Sequence, residues 1–318
     1  MKTYYLLRIA AYLVRFVPHR AAYWICSIIG GIVFTLNWRV REAVLDNMGH
    51  VLPKATRQLR RVLGRRIVRN VVKNYYDVIR VTTMSPADLE RSITVHGIEH
   101  LDNALKLGKG VILVSGHIGN FSIVAQLAAA RDYNVSVVAE DVEPPRLYDY
   151  VNHLRGHFGL KMLKLGSSEV RTIYRLLRNN EILLLAIDRD VNNDGMLVPF
   201  FGQLASMPHG AVALALRTGA TILPGYTVRL PDNTSVVMVD TPLRLEHTGD
   251  REEDVRVNMR NLAEILERYI IEAPDQWVVL QKIWDKDYTK EKPEGPGSRN
   301  GHTAEALPSE QKEPASTF

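Results

Sequence analysis

Cysteine is almost absent from this sequence of 318 residues, which contains only Cys26. A single cysteine cannot form an internal disulfide, and no cysteine and histidine residues recur at the spacing of a zinc site. The sequence therefore predicts neither a disulfide-stabilised secreted domain nor a structural metal, and it is typical of an intracellular protein. Because Cys26 lies among apolar residues, we interpret it as a packing residue and not as a reactive thiol.

Two other motifs are missing from the sequence. No Gly-x-Ser-x-Gly elbow surrounds Ser115 or Ser122, which argues against an α/β-hydrolase. Neither a zinc module nor an aromatic-rich RNA-binding motif is present, so we expect no nucleic-acid partner although the net charge is +5. A basic excess of this size also suits an anionic membrane surface.

One uncharged run stands near the N-terminus. Residues 21–38 contain no charged side chain, and Arg20 and Arg39 flank them. Crossing a bilayer needs about 17–25 apolar residues, so this run is near the lower limit. No small-residue cleavage site follows, which argues against a signal peptide. We expect a helix in or on the membrane interface, with a transmembrane span and an ordinary core helix as the alternatives.

Basic residues are concentrated immediately after this run. From Trp38 to Lys73 there are ten lysine and arginine residues, opposed only by Glu42 and Asp46. A solvated helix face is the simpler interpretation. We favour a surface for anionic membrane lipids, because an apolar anchor lies directly upstream.

The spacing of apolar residues divides the chain into three regions. Residues 1–90 show helical spacing, which predicts a helical, membrane-associating region. Residues 91–288 alternate short apolar runs with helical stretches, which predicts an α/β sandwich around a largely parallel sheet. Residues 289–318 are rich in Pro, Gly, Ser, Glu and Lys, which predicts a disordered tail. The predicted strands are residues 93–96, 111–115, 135–139, 161–165, 182–187, 197–200, 221–229 and 235–239, and the predicted helices of this region are 100–107, 120–130, 145–158, 168–179, 210–218 and 251–271.

A histidine follows the predicted strand at residues 111–115. The strand runs directly into Gly116, His117, Ile118, Gly119 and Asn120. In open α/β sheets ligands bind just past the carboxyl ends of the strands, and a helix that begins near Asn120 would present free N–H groups there. The two glycines would let the backbone approach a ligand closely. An unperturbed imidazole has a pKa of about 6.5, so His117 is a candidate general base, with a capping or packing role as the alternative.

A second polar cluster follows the predicted strand at residues 182–187. Asp188, Arg189 and Asp190 stand at the end of that strand. They could form a self-neutralising turn. Alternatively, Arg189 binds a phosphate or carboxylate group while an aspartate orients another side chain. His209 adjoins the predicted start of a helix, which makes it a further candidate for contact with substrate.

Six features occur in a fixed order along residues 1–285: the basic helical N-terminus, Gly116-His117-Ile118-Gly119-Asn120-Phe121, Val137-Val138-Ala139-Glu140 before Pro145-Arg146-Leu147, Asp188-Arg189-Asp190, Val198-Pro199-Phe200-Phe201-Gly202, and Pro274-Asp275-Gln276-Trp277 before Trp284. Together they resemble the motifs of the bacterial lipid acyltransferases that acylate lipid A precursors and, in actinobacteria, phosphatidylinositol mannosides. The Ala139-Glu140 pair looks more like the mannoside branch.

The resemblance implies a membrane-associated enzyme that moves a fatty acyl chain from acyl-CoA or acyl carrier protein to a hydroxyl of a glycolipid or phospholipid. It implies a location at the cytoplasmic face of the plasma (inner) membrane, with no bound cofactor or metal. His117 would be the general base. The substrate-binding residues would be Gly119, Asn120, Ser122, Glu140, Arg189 and His209.

One position departs from the family pattern. The family has an Asp or Glu five residues after the histidine, where this sequence has Ser122. A serine can form hydrogen bonds but cannot stabilise an imidazolium by charge. We therefore expect Asp188 or Asp190 to supply the carboxylate, provided that their strand neighbours the His117 strand. The alternative is a non-catalytic lipid-binding relative with the same fold.

Overall fold

The computed structural model describes residues 2–140, 144–164, 166 and 169–284, which lie in one compact unit. The predicted disordered tail at residues 289–318 lies outside the described residues. The division of the remaining chain near residue 90 stays a prediction.

The first part of the chain is helical, as predicted. Helix α2 packs along α4 through small and apolar side chains spaced three or four residues apart, from Ala22 to Phe34. Gly30 is needed at this contact, because a Cβ there would lie 2.6 Å from the Cα of Arg69. Cys26 is buried on the same face. The helices are α1 (Lys2–Leu13), α2 (His19–Leu36), α3 (Trp38–Val51), α4 (Arg57–Arg80) and α5 (Pro86–Ser92).

The other face of α2 is exposed and apolar. It carries Trp24, Ile25, Ile28, Ile29, Ile32 and Leu36, all of them exposed. By length and composition, α2 is the one helix in the described part of the chain that could cross a membrane, and 28% of it is buried in the protein.

A seven-stranded, mostly parallel sheet forms the centre of the molecule, which confirms the predicted fold class. The strand order is β1-β9-β8-β2-β5-β3-β4. Within this sheet only β8 and β9 pair antiparallel. The strands of the sheet are β1 (Ile93–His96), β2 (Val111–Ser115), β3 (Val135–Ala139), β4 (Lys161–Lys164), β5 (Ile182–Ala186), β8 (Thr221–Arg229) and β9 (Ser235–Val239).

A separate two-stranded hairpin corrects one detail of the prediction. The predicted strand at residues 197–200 pairs antiparallel with a strand that the sequence pattern did not reveal, and neither belongs to the main sheet. Positive φ angles at Phe201 and Gly202 make the tight turn between them. The two strands are β6 (Met196–Phe200) and β7 (Gln203–Met207).

Helices cover both faces of the sheet. Ile112 packs with Ile67 of α4 and with Met259 of the last helix in one apolar cluster. Its neighbour Val111 packs with Leu101 in another cluster. Successive strand residues point to opposite faces, so the sheet is buried on both sides, as in an α/β sandwich. The helices are α6 (Ile98–Leu105), α7 (Phe121–Ala130), α8 (Pro145–Arg155), α9 (Val170–Arg178), α10 (Gly210–Thr218) and α11 (Arg251–Glu272).

The register of β2 and β5 positions the candidate site. These strands are parallel neighbours, and Ser115 at the end of β2 pairs with Ala186 at the end of β5. The segments that follow them therefore emerge at the same edge of the sheet. His117 and Asp188 each lie two residues beyond these paired positions.

Candidate active site

His117 and Asp188 form a close pair at this edge of the sheet. The Nδ1 atom of His117 lies 2.7 Å from Oδ1 of Asp188, and the backbone N–H of His117 donates to Oδ2 of the same carboxylate at 2.7 Å. Asp188 is buried, whereas 22% of the His117 side chain is exposed. The carboxylate therefore fixes one edge of the imidazole and leaves Nε2 as the ring nitrogen not engaged by Asp188.

The environment of Asp188 keeps its carboxyl group ionised. Trp277 donates its indole N–H to Oδ2 of Asp188 at 2.9 Å. Burial alone would raise the pKa of Asp188, but the charge of His117 and the hydrogen bonds from His117 and Trp277 outweigh it and hold the pKa below its usual range. An ionised carboxylate on Nδ1 can stabilise the imidazolium that forms when Nε2 takes a proton.

The backbone of the histidine turn, residues 116–120, is held by residues 276–278, which lie far away along the chain. The carbonyl of His117 accepts from the N–H of Val278 at 2.8 Å, and the N–H of Gly119 donates to the carbonyl of Gln276 at 2.8 Å. Ile118 forms an isolated antiparallel bridge with Trp277. Residues 276–278 therefore act as a short strand added to the turn.

Two glycines in the turn are required by close approaches. A Cβ at Gly116 would lie 3.2 Å from Oδ2 of Asp188 and 2.8 Å from Leu266. Gly119 has a φ of +60°, and a Cβ there would lie 2.1 Å from the carbonyl oxygen of Thr227 in β8. The close approach expected at Gly119 is thus to the protein's own backbone.

Asn120 and Ser122 follow the turn at the start of α7. Asn120 is buried and donates from Nδ2 to Asp77 of α4 at 2.8 Å, so its side chain is directed into the protein. Ser122 is half-buried, and its hydroxyl makes no hydrogen bond to any residue that the structure describes. The carboxylate on His117 comes from Asp188, on the neighbouring strand.

Arg189 and Glu140 lie together. Arg189 donates from Nη2 to Glu140 at 3.2 Å and to Oε1 of Gln281 at 2.9 Å. Its Nε atom is buried and has no partner among the described residues. Arg189 follows Asp188 in the sequence, and 22% of its side chain is exposed. Its guanidinium can therefore reach an anion or oxyanion that binds at the site.

The structure brings neither Asp190 nor His209 into contact with His117. Asp190 accepts from the hydroxyl of Ser206 at 2.5 Å and from the backbone N–H of Gly195 at 3.0 Å, so it holds the loop before β6. Hydrogen bonds outweigh partial burial and keep the pKa of Asp190 below its usual range. His209 is the N-cap residue of α10, and its Nδ1 is buried without a partner among the described residues.

Sequence reasoning missed the roles of Trp277 and Gln281 at the site. Trp277 stood in the motif that carried the family resemblance, but a contact across 89 residues of chain leaves no local signal. The side chains of the described residues form no group of three or more His, Cys, Asp or Glu that could hold a metal ion.

Comparison with known proteins shows the family to which the chain belongs. The profile of the bacterial lipid A biosynthesis acyltransferases matches residues 1–286. The chain belongs to that family and is an acyltransferase that acts on lipids.

Curated relatives carry a more particular name. A phosphatidylinositol mannoside acyltransferase of Mycobacterium tuberculosis (strain CDC 1551 / Oshkosh) is 30% identical over 67% of this chain and 67% of the relative. A phosphatidylinositol mannoside acyltransferase of Mycolicibacterium smegmatis is 26% identical over 79% of this chain and 82% of the relative.

Proposed function

We propose that this enzyme transfers a fatty acyl chain from a thioester donor to a hydroxyl of a glycolipid or phospholipid, with His117 as the general base. The observation that carries this proposal is the 2.7 Å contact between Nδ1 of His117 and the buried carboxylate of Asp188. A carboxylate on Nδ1 stabilises the tautomer with a proton there, so that Nε2 is free to accept one.

The reaction follows from this geometry. Nε2 of His117 takes the proton of the acceptor hydroxyl as the oxygen attacks the thioester carbonyl carbon. A new C–O bond forms, and the carbonyl oxygen becomes an oxyanion. The intermediate then expels the sulfur, which receives the proton from the imidazolium. The products are the acylated lipid and the free thiol of the donor.

Arg189 and the first backbone N–H groups of α7 are our candidates for stabilising the oxyanion. Helix α7 begins at Phe121, four residues after His117, and unpaired N–H groups at a helix N-terminus favour negative charge. Glu140 orients Arg189 through their ion pair. Gly119 and Asn120 support the turn, and Ser122 and His209 are candidates for contact with bound lipid.

Phosphatidylinositol mannoside is our preferred acceptor. The names of the similar mycobacterial proteins and the Ala139-Glu140 pair support it. Either acyl-CoA or acyl carrier protein would present the same thioester carbon to His117, so both remain candidate donors.

The acceptor would be reached from the cytoplasmic face of the plasma (inner) membrane. The exposed apolar face of α2 supports this location, because large apolar side chains there are left uncovered by the protein. Arg39, Arg57, Arg61 and Arg65 are exposed close to α2 in the chain and would attract anionic lipid head groups. The packing of one face of α2 against α4, which buries 28% of the helix, favours an interfacial position over a full span.

The test is acyl transfer by the purified full-length chain in lipid vesicles. Acyl-CoA and acyl carrier protein would be supplied separately, with phosphatidylinositol mannoside as acceptor, and mass spectrometry would detect the acylated product. We expect His117→Ala to lower the rate by about 10²–10⁴-fold, the usual contribution of a general base. His153→Ala serves as the matched control, because His153 is exposed on α8.

Each outcome bears on one part of the proposal. Turnover by wild type that is lost in His117→Ala supports the general base. Wild-type turnover in His117→Ala would overturn the mechanism, and absence of product with both donors would overturn phosphatidylinositol mannoside as the acceptor. Loss of one acylated lipid from cells that lack the gene would identify the acceptor.

A further inference from the structure

A second group of polar side chains holds the part of the histidine turn that Asp188 does not reach. It comes from three separate elements: Asn74 and Asp77 of α4, Arg229 at the end of β8, and Tyr23 of α2. All four side chains are joined by hydrogen bonds, and they meet the turn at Gly119 and Asn120.

Two of these contacts fix the turn directly. Asn74 donates from Nδ2 to the carbonyl oxygen of Gly119 at 2.6 Å. Asp77 accepts from Nδ2 of Asn120 at 2.8 Å. These bonds lie two and three residues beyond His117, so a change in either one moves the backbone that carries the imidazole.

A buried ion pair restricts how the side chains of this group can be oriented. Asp77 and Arg229 pair at 2.6 Å, and both side chains are at least 98% buried. The same Nη2 atom of Arg229 donates to Oδ1 of Asn74 at 2.6 Å. Buried ion pairs often contribute little net stability, but they restrict their neighbours to arrangements in which every charge is paired. The pair therefore holds Asn74 in the orientation that presents its Nδ2 to Gly119.

Tyr23 extends the network to the helix with the exposed apolar face. Its hydroxyl donates to Oδ1 of Asp77 and accepts from Nη1 of Arg80 at 2.9 Å. Both carboxylate oxygens of Asp77 are thereby engaged, one by Tyr23 and the other by Asn120 and Arg229. Asp77 has little freedom to rotate away from the turn.

We propose that Asn74 and Asp77 are positioning residues, which set the place of the His117 ring relative to the acceptor hydroxyl by fixing Gly119 and Asn120. This proposal rests on the proposed role of His117 as general base. Neither residue touches the substrate. Each acts through the turn, so its loss should lower kcat and leave the KM for the thioester donor unchanged.

Asn74→Asp is the sharpest single test. The aspartate keeps the shape of the side chain and still accepts from Arg229, but it cannot donate to the carbonyl of Gly119. A displacement of about 1 Å at a reacting group can cost about 100-fold in rate, so we expect kcat to fall about 10- to 100-fold. The new carboxylate also adds a second negative charge beside Asp77, so the melting temperature should fall, but the KM for acyl-CoA should stay near the wild-type value when kcat is referred to the folded fraction.

A pair of tyrosines provides a second test with its own control. Tyr23→Phe removes the hydroxyl that holds Asp77, and we expect kcat to fall severalfold. Tyr76 of α4 makes an edge-to-face ring contact with Tyr23, but its hydroxyl makes no hydrogen bond to any residue of the described ranges. Tyr76→Phe should therefore leave kcat at the wild-type value.

A double-mutant cycle separates this proposal from the role of His117. If Asn74 acts through His117, Asn74→Asp should not lower the residual rate further in the His117→Ala background. An equal loss in both backgrounds would overturn the positioning role, as would an unchanged kcat in Asn74→Asp or a loss that follows the folded fraction. Wild-type turnover in His117→Ala alone would instead overturn the proposed general base.

Discussion

At the scale of single residues, the catalytic hypothesis depends on which aspartate serves His117. The sequence allowed either Asp188 or Asp190, and the structure places only Asp188 within hydrogen-bond distance of the ring. We expect Asp188→Asn to lower kcat by about 10²–10⁴-fold, because a neutral amide no longer stabilises the imidazolium. Asp190→Asn is the matched control and should lose less than about tenfold. Steady-state kinetics of both variants would check this, and a larger loss in Asp190→Asn would reverse the assignment.

Asp188 should also make the stability of the folded protein depend on pH in the acidic range. Its pKa in the folded protein lies below the usual range, whereas an unfolded aspartate titrates near about 3.9. A lowered folded pKa stabilises the protein above the unfolded value, and this stabilisation is lost as the pH falls through the folded value. The melting temperature of wild type should therefore exceed that of Asp188→Asn at neutral pH, and the difference should shrink below about pH 4. A difference that stays constant in acid would contradict the lowered pKa.

Gly119 offers a test of the backbone of the turn. An alanine at a positive φ costs about 1–2 kcal/mol, and at this position it also meets the carbonyl of Thr227. Gly108 has a similar φ of +70° but nothing within 4 Å of an added Cβ. We expect Gly119→Ala to lower the free energy of unfolding by clearly more than Gly108→Ala, and to abolish acyl transfer. Denaturant unfolding would measure the difference, and equal losses would argue against the tight contact.

At the scale of elements, the packing of α2 on α4 depends on one glycine of an adjacent pair. A Cβ at Gly30 would meet the backbone of Arg69 at 2.6 Å, whereas one at Gly31 would make an ordinary contact at 3.6 Å with the end of the Arg69 side chain. Gly30→Ala should destabilise the protein by about 1–3 kcal/mol through forced separation of the helices. Gly31→Ala should be neutral or stabilising by up to about 1 kcal/mol, because alanine favours helix. Thermal melts of the two variants would measure this difference, and equal melting temperatures would contradict it.

Most elements could be located from the sequence, because burial on both faces gives continuous apolar strands between turn residues. Strand β7 was missed because its sequence, Gln-Leu-Ala-Ser-Met, is short, partly polar and mostly outside the core. The Asp77 network was missed for another reason. Asp77 is separated from Asn120 by 43 residues and from Arg229 by 152, so no local pattern reports that they meet.

At the scale of the whole molecule, the apolar face of α2 and the basic residues after it should bind membranes together. In cell fractions the protein should pellet with membranes, and high salt should release only part of it, because salt screens charge but does not weaken apolar insertion. Replacing the exposed Ile28 and Ile32 by Asn should increase the released fraction. Leu107→Asn is the control, since Leu107 is exposed just after α6. Protein that stays soluble at low salt would exclude this surface as an anchor.

The bonds between the histidine turn and residues 276–278 have a consequence for protein synthesis. His117 and Gly119 are made about 160 residues before the backbone groups that hold them. At 5–20 residues per second, the nascent chain would wait roughly ten to thirty seconds before its turn could close. A polypeptide that ended early, at a premature stop codon or by proteolysis before Gln276, would retain the histidine but not the strand that aligns it. Incomplete copies that reached a bilayer would therefore be unable to acylate its lipids, so that activity itself reports a chain translated beyond Val278.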